Sequence, residues 1–293
     1  MATTEAEAPA SGGLRGFFNK GGFWRFLPVM FVYFLIYVPV GGVVARIADR
    51  SFSEDALLSS VGTVFVQLTA GLIVGSIVLI AFTTFMGWNA EIFGRQSIYR
   101  SGWMWLAPVI ILVPIVLRVL GIDWGGIGLE VSAMMMATGL LIGFSEELLY
   151  RGVAVKMLRT GGHREFSVAA ISSLLFGLSH TINLISGAQL TTVLATVPYT
   201  IAFGVLMYLS MRAVGFIVAA MILHGLTDPT TFLATGGLPD DVDTSAVSGL
   251  SQIAGQFGTL LVVLAGFILV FFVRGKVGEP KGAKKDEAAQ APA

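Results

Sequence analysis

Eight stretches of this chain are apolar enough and long enough to cross a bilayer, and that leaves the backbone little choice. Inside hydrocarbon every N–H and C=O must be paired within the protein, so a chain crosses as helices or as a closed barrel. Runs of about 20 apolar residues are the helical case. They fall at 27–46, 57–84, 103–121, 130–150, 166–182, 189–210, 213–228 and 250–273. The second is long enough to tilt or overrun the bilayer; the fifth and seventh are short, with polar far ends. The fold class is therefore all-α, a polytopic membrane helix bundle of about eight transmembrane helices. Charged residues make up 12% of the chain, half the roughly 25% of a soluble domain, and the mean hydropathy is +0.82.

Cation placement tests the count of spans. Lys and Arg concentrate in cytoplasmic loops. With eight spans, the two tails and loops two, four and six share one side and hold fifteen of the eighteen Lys and Arg residues. The other side keeps Arg46, Arg50 and Arg118, the last placed to snorkel from the end of span three. Both termini are thus expected to be cytoplasmic; seven spans would put the C-terminal lysines outside.

Residues 1–25 are expected to form a disordered tail followed by a basic, aromatic, interfacial lead-in, residues 26–275 the transmembrane domain, and residues 276–293 a disordered basic tail. The chain has no Cys, which excludes disulfides, thiol catalysis and thiolate metal sites. Its net charge is zero with no basic stripe, which argues against a nucleic-acid partner. The partners expected instead are the lipid bilayer and a membrane-bound protein or peptide.

Ionisable side chains within membrane helices are costly, and they mark function by default. Span four carries three within six residues: Glu146, Glu147 and Arg151. With Gly143 and Tyr150 they follow the spacing i, i+3, i+4, i+7, i+8, one face of a helix. Glu147 and Arg151 are an i, i+4 pair in the favourable order, which would hold the arginine and leave Glu146 as the spare carboxylate. Span five aims His180 along a face with Ser173, Phe176 and Gly177, and span seven carries His224, Thr227 and Asp228. Asp228 also reads as a helix C-terminal residue before Pro229, and Pro198 with Tyr199 suggests a kink in span six. If helix four continues past Arg151 to the Gly161-Gly162 break, then at 1.5 Å per residue from the expected helix ends Glu146, His180 and His224 lie about 21, 24 and 18 Å deep, one level on three helices.

A glutamate and a histidine around one water make a base that activates it for attack on a carbonyl. A second histidine, with Asp228 beside it, can support the oxyanion that forms. The chemistry is amide hydrolysis. Two histidines and a carboxylate also suit a zinc ion, so a zinc cofactor held by Glu146, His180 and His224 is the alternative. The Glu-Glu-x-x-x-Arg pattern is not the His-Glu-x-x-His helix of metalloproteases, which weakens that alternative.

Glu146-Glu147-x-x-x-Arg151, Phe176-x-x-x-His180 and His224-x-x-x-Asp228, in that order on successive membrane helices, resemble the CPBP family, the CAAX-prenyl-protease and bacteriocin-processing (Abi) group. The resemblance covers about 130–230. It implies a glutamate-type intramembrane endopeptidase in which Glu146 and His180 activate water, His224 and Asp228 serve the oxyanion, and Glu147 and Arg151 shape the site. Asp228 stands where the family has Asn; an ionised Asp has no N–H to donate, so it suits orientation of His224 better than direct donation. The expected location is the plasma (inner) membrane of a bacterium. Two competing classes share these residues: a non-catalytic membrane immunity or scaffold protein of the same fold, and a proton- or cation-coupled transporter. The lack of an inverted repeat counts against the transporter.

Overall fold

The computed structural model describes residues 12–48, 51–98, 100–185, 187–237 and 247–277. Of the expected tails at 1–25 and 276–293, residues 1–11 and 278–293 lie outside them, as does Arg50. Among the described residues every regular element is helical. A short helix, Gly13–Asn19, lies within the lead-in. Eight helices long and apolar enough to span a membrane follow: α1 (Phe23–Ile47), α2 (Val61–Met86), α3 (Gly102–Gly121), α4 (Leu129–Thr160), α5 (Glu165–Leu184), α6 (Leu190–Val214), α7 (Ile217–Thr235) and α8 (Gly249–Phe272). The protein is an integral, multi-pass membrane protein.

The spans are not equivalent. Over its most apolar window α1 buries 11% of its residues, whereas α7 buries 50%. Helices α1, α3 and α8 turn rows of large side chains outward, among them Phe31, Leu35, Val109, Leu112, Phe257, Leu261 and Leu264. Such rows are lipid-facing surface. Helices α4 to α7 carry the buried Glu147, Arg151, Glu165, Arg212 and His224.

Three of the expected boundaries move, each for a local reason. Span four continues past Tyr150 to Thr160, with a π-helical segment over Leu148–Ala154. Such segments insert a residue into the helical register and are frequent at functional sites. Arg151 is therefore a buried helix residue, not a loop cation. Helix α6 runs unbroken through Pro198 to Val214, so Arg212 too is buried inside the bundle, and α7 starts only at Ile217. His224 thus sits two turns from its helix start, nearer than the count from Arg212 implied. Finally, α7 continues through Pro229 to Thr235. Asp228 is mid-helix, not a terminal turn residue.

Helices α4 and α7 approach closely because glycines face each other. A side-chain carbon built on Gly143 would strike the Met221 carbonyl oxygen and the Gly225 backbone; one on Gly139 would strike the Pro229 ring. In a membrane, where packing rather than water drives association, such small-residue contacts let backbones meet. Gly143 lies one turn before Glu147, and Gly225 immediately follows His224. The close approach therefore sets those two side chains against each other.

A second polar cluster ties α4, α5 and α6 together. Arg159 donates to Glu165 Oε1 (2.9 Å) and Oε2 (2.8 Å), and Arg212 donates to Oε2 at 3.3 Å. Tyr208 donates to the same oxygen. Glu165 is fully buried.

Candidate active site

Glu147 is the sealed centre of the polar group. It is wholly buried, and its Oε1 accepts from Arg151 Nη1 at 3.0 Å and from His224 Nδ1 at 2.8 Å. The i, i+4 pair expected from the sequence is present; the bond to His224, from a helix 77 residues away, is additional. Arg151 lies over the Phe176 ring, 4.6 Å from its centre. With Nδ1–H committed to Glu147, the orientation of the His224 ring is set, and so is the atom it presents: Nε2.

That nitrogen faces two carboxylates. Glu146 Oε2 is 3.8 Å away and Asp228 Oδ2 3.5 Å. The side chains of Glu146 and Asp228 are 27% and 31% exposed, against 2% for His224. Glu147, Arg151 and His224 thus form a closed shell, and Glu146 and Asp228 line an accessible front. Neighbouring α1 also faces Glu146. Tyr33 and Tyr37, one turn apart and stacked at 5.6 Å, both interact with its charge, and Tyr33 shares a hydrogen bond with Ser145 at 2.9 Å.

His180 is joined to this group less directly. It begins the tight last turn of α5 and is half-buried, its Nδ1 donating to the Phe176 carbonyl at 2.9 Å. Its ring meets Phe176 edge-on at 5.0 Å, and His224 meets the same phenyl ring at 5.7 Å. Among the described residues His180 makes no ion pair, but it is among the groups near enough to act electrostatically on Glu146. The structure therefore places Glu146, Glu147, Arg151, His224 and Asp228 in one contact group. His180 stands beside it across Phe176, and among the described residues its Nε2 has no hydrogen-bond or ion-pair partner.

Residues 128–230 match the family described as type II CAAX prenyl endopeptidase Rce1-like. Over this segment the chain is similar to that family. The matched segment contains every residue of the contact group, and the family's description is that of an endopeptidase. No curated protein and no solved structure gives a significant match.

Several residues around the site escaped the sequence reading. Phe203 packs on His224 at 5.0 Å; one apolar residue among many on α6, it gave no signal. Tyr33 and Tyr37 did give one, a pair of phenols at i, i+4 in an otherwise apolar span. Arg118, expected to snorkel, is only 5% exposed and turns inward, where its charge interacts with Asp228 and Tyr199. As for a metal, the Nδ1 atoms of both histidines are already bonded, and among the described residues no three His, Asp or Glu side chains form a metal-holding group.

Proposed function

We propose that this protein is an intramembrane endopeptidase of glutamate type, acting on a peptide bond of a membrane-associated protein or peptide. The observation that carries the reading is the division of the two adjacent glutamates. Glu147 is sealed and orients His224, while Glu146 reaches the accessible front at 3.8 Å from His224 Nε2.

In this reading Glu146, with His180 Nε2 opposite, takes a proton from a water between them. The water oxygen attacks the carbonyl carbon, and the carbonyl π pair moves onto oxygen. A proton on His224 Nε2 donates to that oxyanion; Asp228, an acceptor, orients the imidazole rather than donating. Collapse of the tetrahedral species breaks the C–N bond, and Glu146 returns its proton to the departing amine. Burial makes each of these electrostatic contacts stronger than it would be in water. The same reading keeps both termini cytoplasmic in the plasma membrane of a bacterium, with a lipid-anchored or membrane-embedded peptide as partner.

The test is product analysis by mass spectrometry on purified protein in lipid, with S-farnesylated peptides offered first because of the family match. Glu146→Ala and His180→Ala should each abolish cleavage while eluting as folded protein. Full activity in either variant sinks the mechanism. A wild-type protein that cleaves none of a broad set of membrane peptides favours the scaffold class.

A further inference from the structure

Arg118 is a buried cation that the hydrolytic mechanism does not use. It is the one charged residue of α3, and it lies one turn from the helix end at Gly121. A side chain of that length, so placed, ordinarily carries its charge to the interface. Here it does not: the residue is 5% exposed, and Nη1 is buried with no hydrogen-bond partner. Among the described residues it forms no ion pair. The groups its charge feels are Asp228 on α7 and Tyr199 on α6. Asp228 is already turned to His224 Nε2 at 3.5 Å. Leaving a guanidinium buried without a contact anion is costly, and a costly arrangement at the edge of an accessible site points to a ligand.

We propose that Arg118 binds a carboxylate of the peptide substrate and so sets which bond lies at Glu146. The planar fork of a guanidinium pairs with a carboxylate through two parallel hydrogen bonds, a match that an ammonium lacks. Position agrees with the role. The Arg118 charge acts on Asp228, whose Oδ2 lies 3.5 Å from His224 Nε2. A peptide with its scissile carbonyl at Glu146 and His224 reaches Arg118 with a group a short distance along its chain. A free C-terminal carboxylate and an acidic side chain share the needed chemistry. Arg118 precedes the matched segment 128–230, so this recognition is carried by the chain's own third span.

The inference rests on the peptidase reading for its substrate class, and the test separates the two. Binding is measured on the Glu146→Gln protein, where turnover does not interfere, with three fluorescent S-farnesylated hexapeptides: one with a free C-terminal carboxylate, its C-terminal amide, and an amide carrying Glu two residues from the end. The free acid should bind roughly tenfold or more tighter than the plain amide. Adding Arg118→Gln should erase the difference. If the Glu-bearing amide binds like the free acid, the source is a side chain; if it binds like the plain amide, the source is the terminus. Arg118→Lys keeps the charge beside Asp228 and so tests a purely structural role. In an otherwise wild-type protein it should raise KM several-fold with kcat little changed. Equal binding of acid and amide, a preference that survives Arg118→Gln, or binding of none of the three peptides overturns the proposal. Tight, Arg118-dependent binding with no cleavage by the wild type leaves Arg118 as a carboxylate site and defeats the peptidase reading alone.

Discussion

Replacing Arg151 with Met separates the sealed half of the site from its accessible half. The guanidinium and the Glu147 carboxylate it contacts at 3.0 Å are both at zero exposure. Removing the cation strands a buried carboxylate with the His224 N–H as its one remaining donor. Breaking a buried pair in this way costs about 3–5 kcal/mol. At about 2–4 °C per kcal/mol for a chain of this size, the melting temperature should fall by roughly 6–20 °C. Glu146→Gln removes a charge that is 27% exposed and has no arginine partner, so its effect should stay within about 1 kcal/mol, or roughly 3 °C. The double variant Glu147→Leu with Arg151→Met strands no charge and should recover at least half of the lost stability, because apolar replacement of a whole buried pair is often neutral. It should not recover activity, since His224 loses the acceptor that orients it. Intrinsic tryptophan fluorescence during heating, in one detergent, reads all three. An Arg151→Met protein as stable as Glu146→Gln would refute the assignment of Glu147 as the sealed, paired carboxylate.

Three further outcomes follow from the same geometry. Gly143→Ala should cost about 1–3 kcal/mol and depress hydrolysis, because the added methyl meets the Met221 carbonyl and the Gly225 backbone and pushes His224 off Glu147; unchanged melting would show that α4 and α7 are not in backbone contact. Glu165→Ala should lower the melting temperature by as much as Arg151→Met, since it leaves Arg159 and Arg212 without their shared carboxylate; a wild-type melting curve would count against the cluster. Dialysis against a chelator should leave hydrolysis unchanged; loss of activity restored by zinc would favour metal chemistry at Glu146, His180 and His224.

The fold class and the number of spans were legible because hydropathy along a membrane chain is nearly a direct record of its crossings. The stripe on α4 was legible for a related reason: helical spacing puts Glu146, Glu147 and Arg151 on one face whatever surrounds them. What the sequence could not hold was the register between helices. The bond from His224 to Glu147 depends on how far α4 and α7 slide along each other, and that is set by glycine contacts that carry no label in one dimension. The direction of Arg118 was unreadable because a long side chain near a helix end has two outlets, the interface and the interior, and α6 and α7 decide between them. Pro229 misled in the usual way. It removes one backbone donor, but packing against Gly139 holds the helix together past it.

Single-turnover hydrolysis in the Glu146→Gln protein bears most directly on the claim that this glutamate activates water for peptide cleavage. Peptide binding and bond breakage are measured on the same sample, beside wild type. The account predicts unchanged binding and a cleavage rate lower by a factor on the order of 10²–10⁴, the range a positioned general base supplies. A rate within a few-fold of wild type, at equal occupancy, would contradict it.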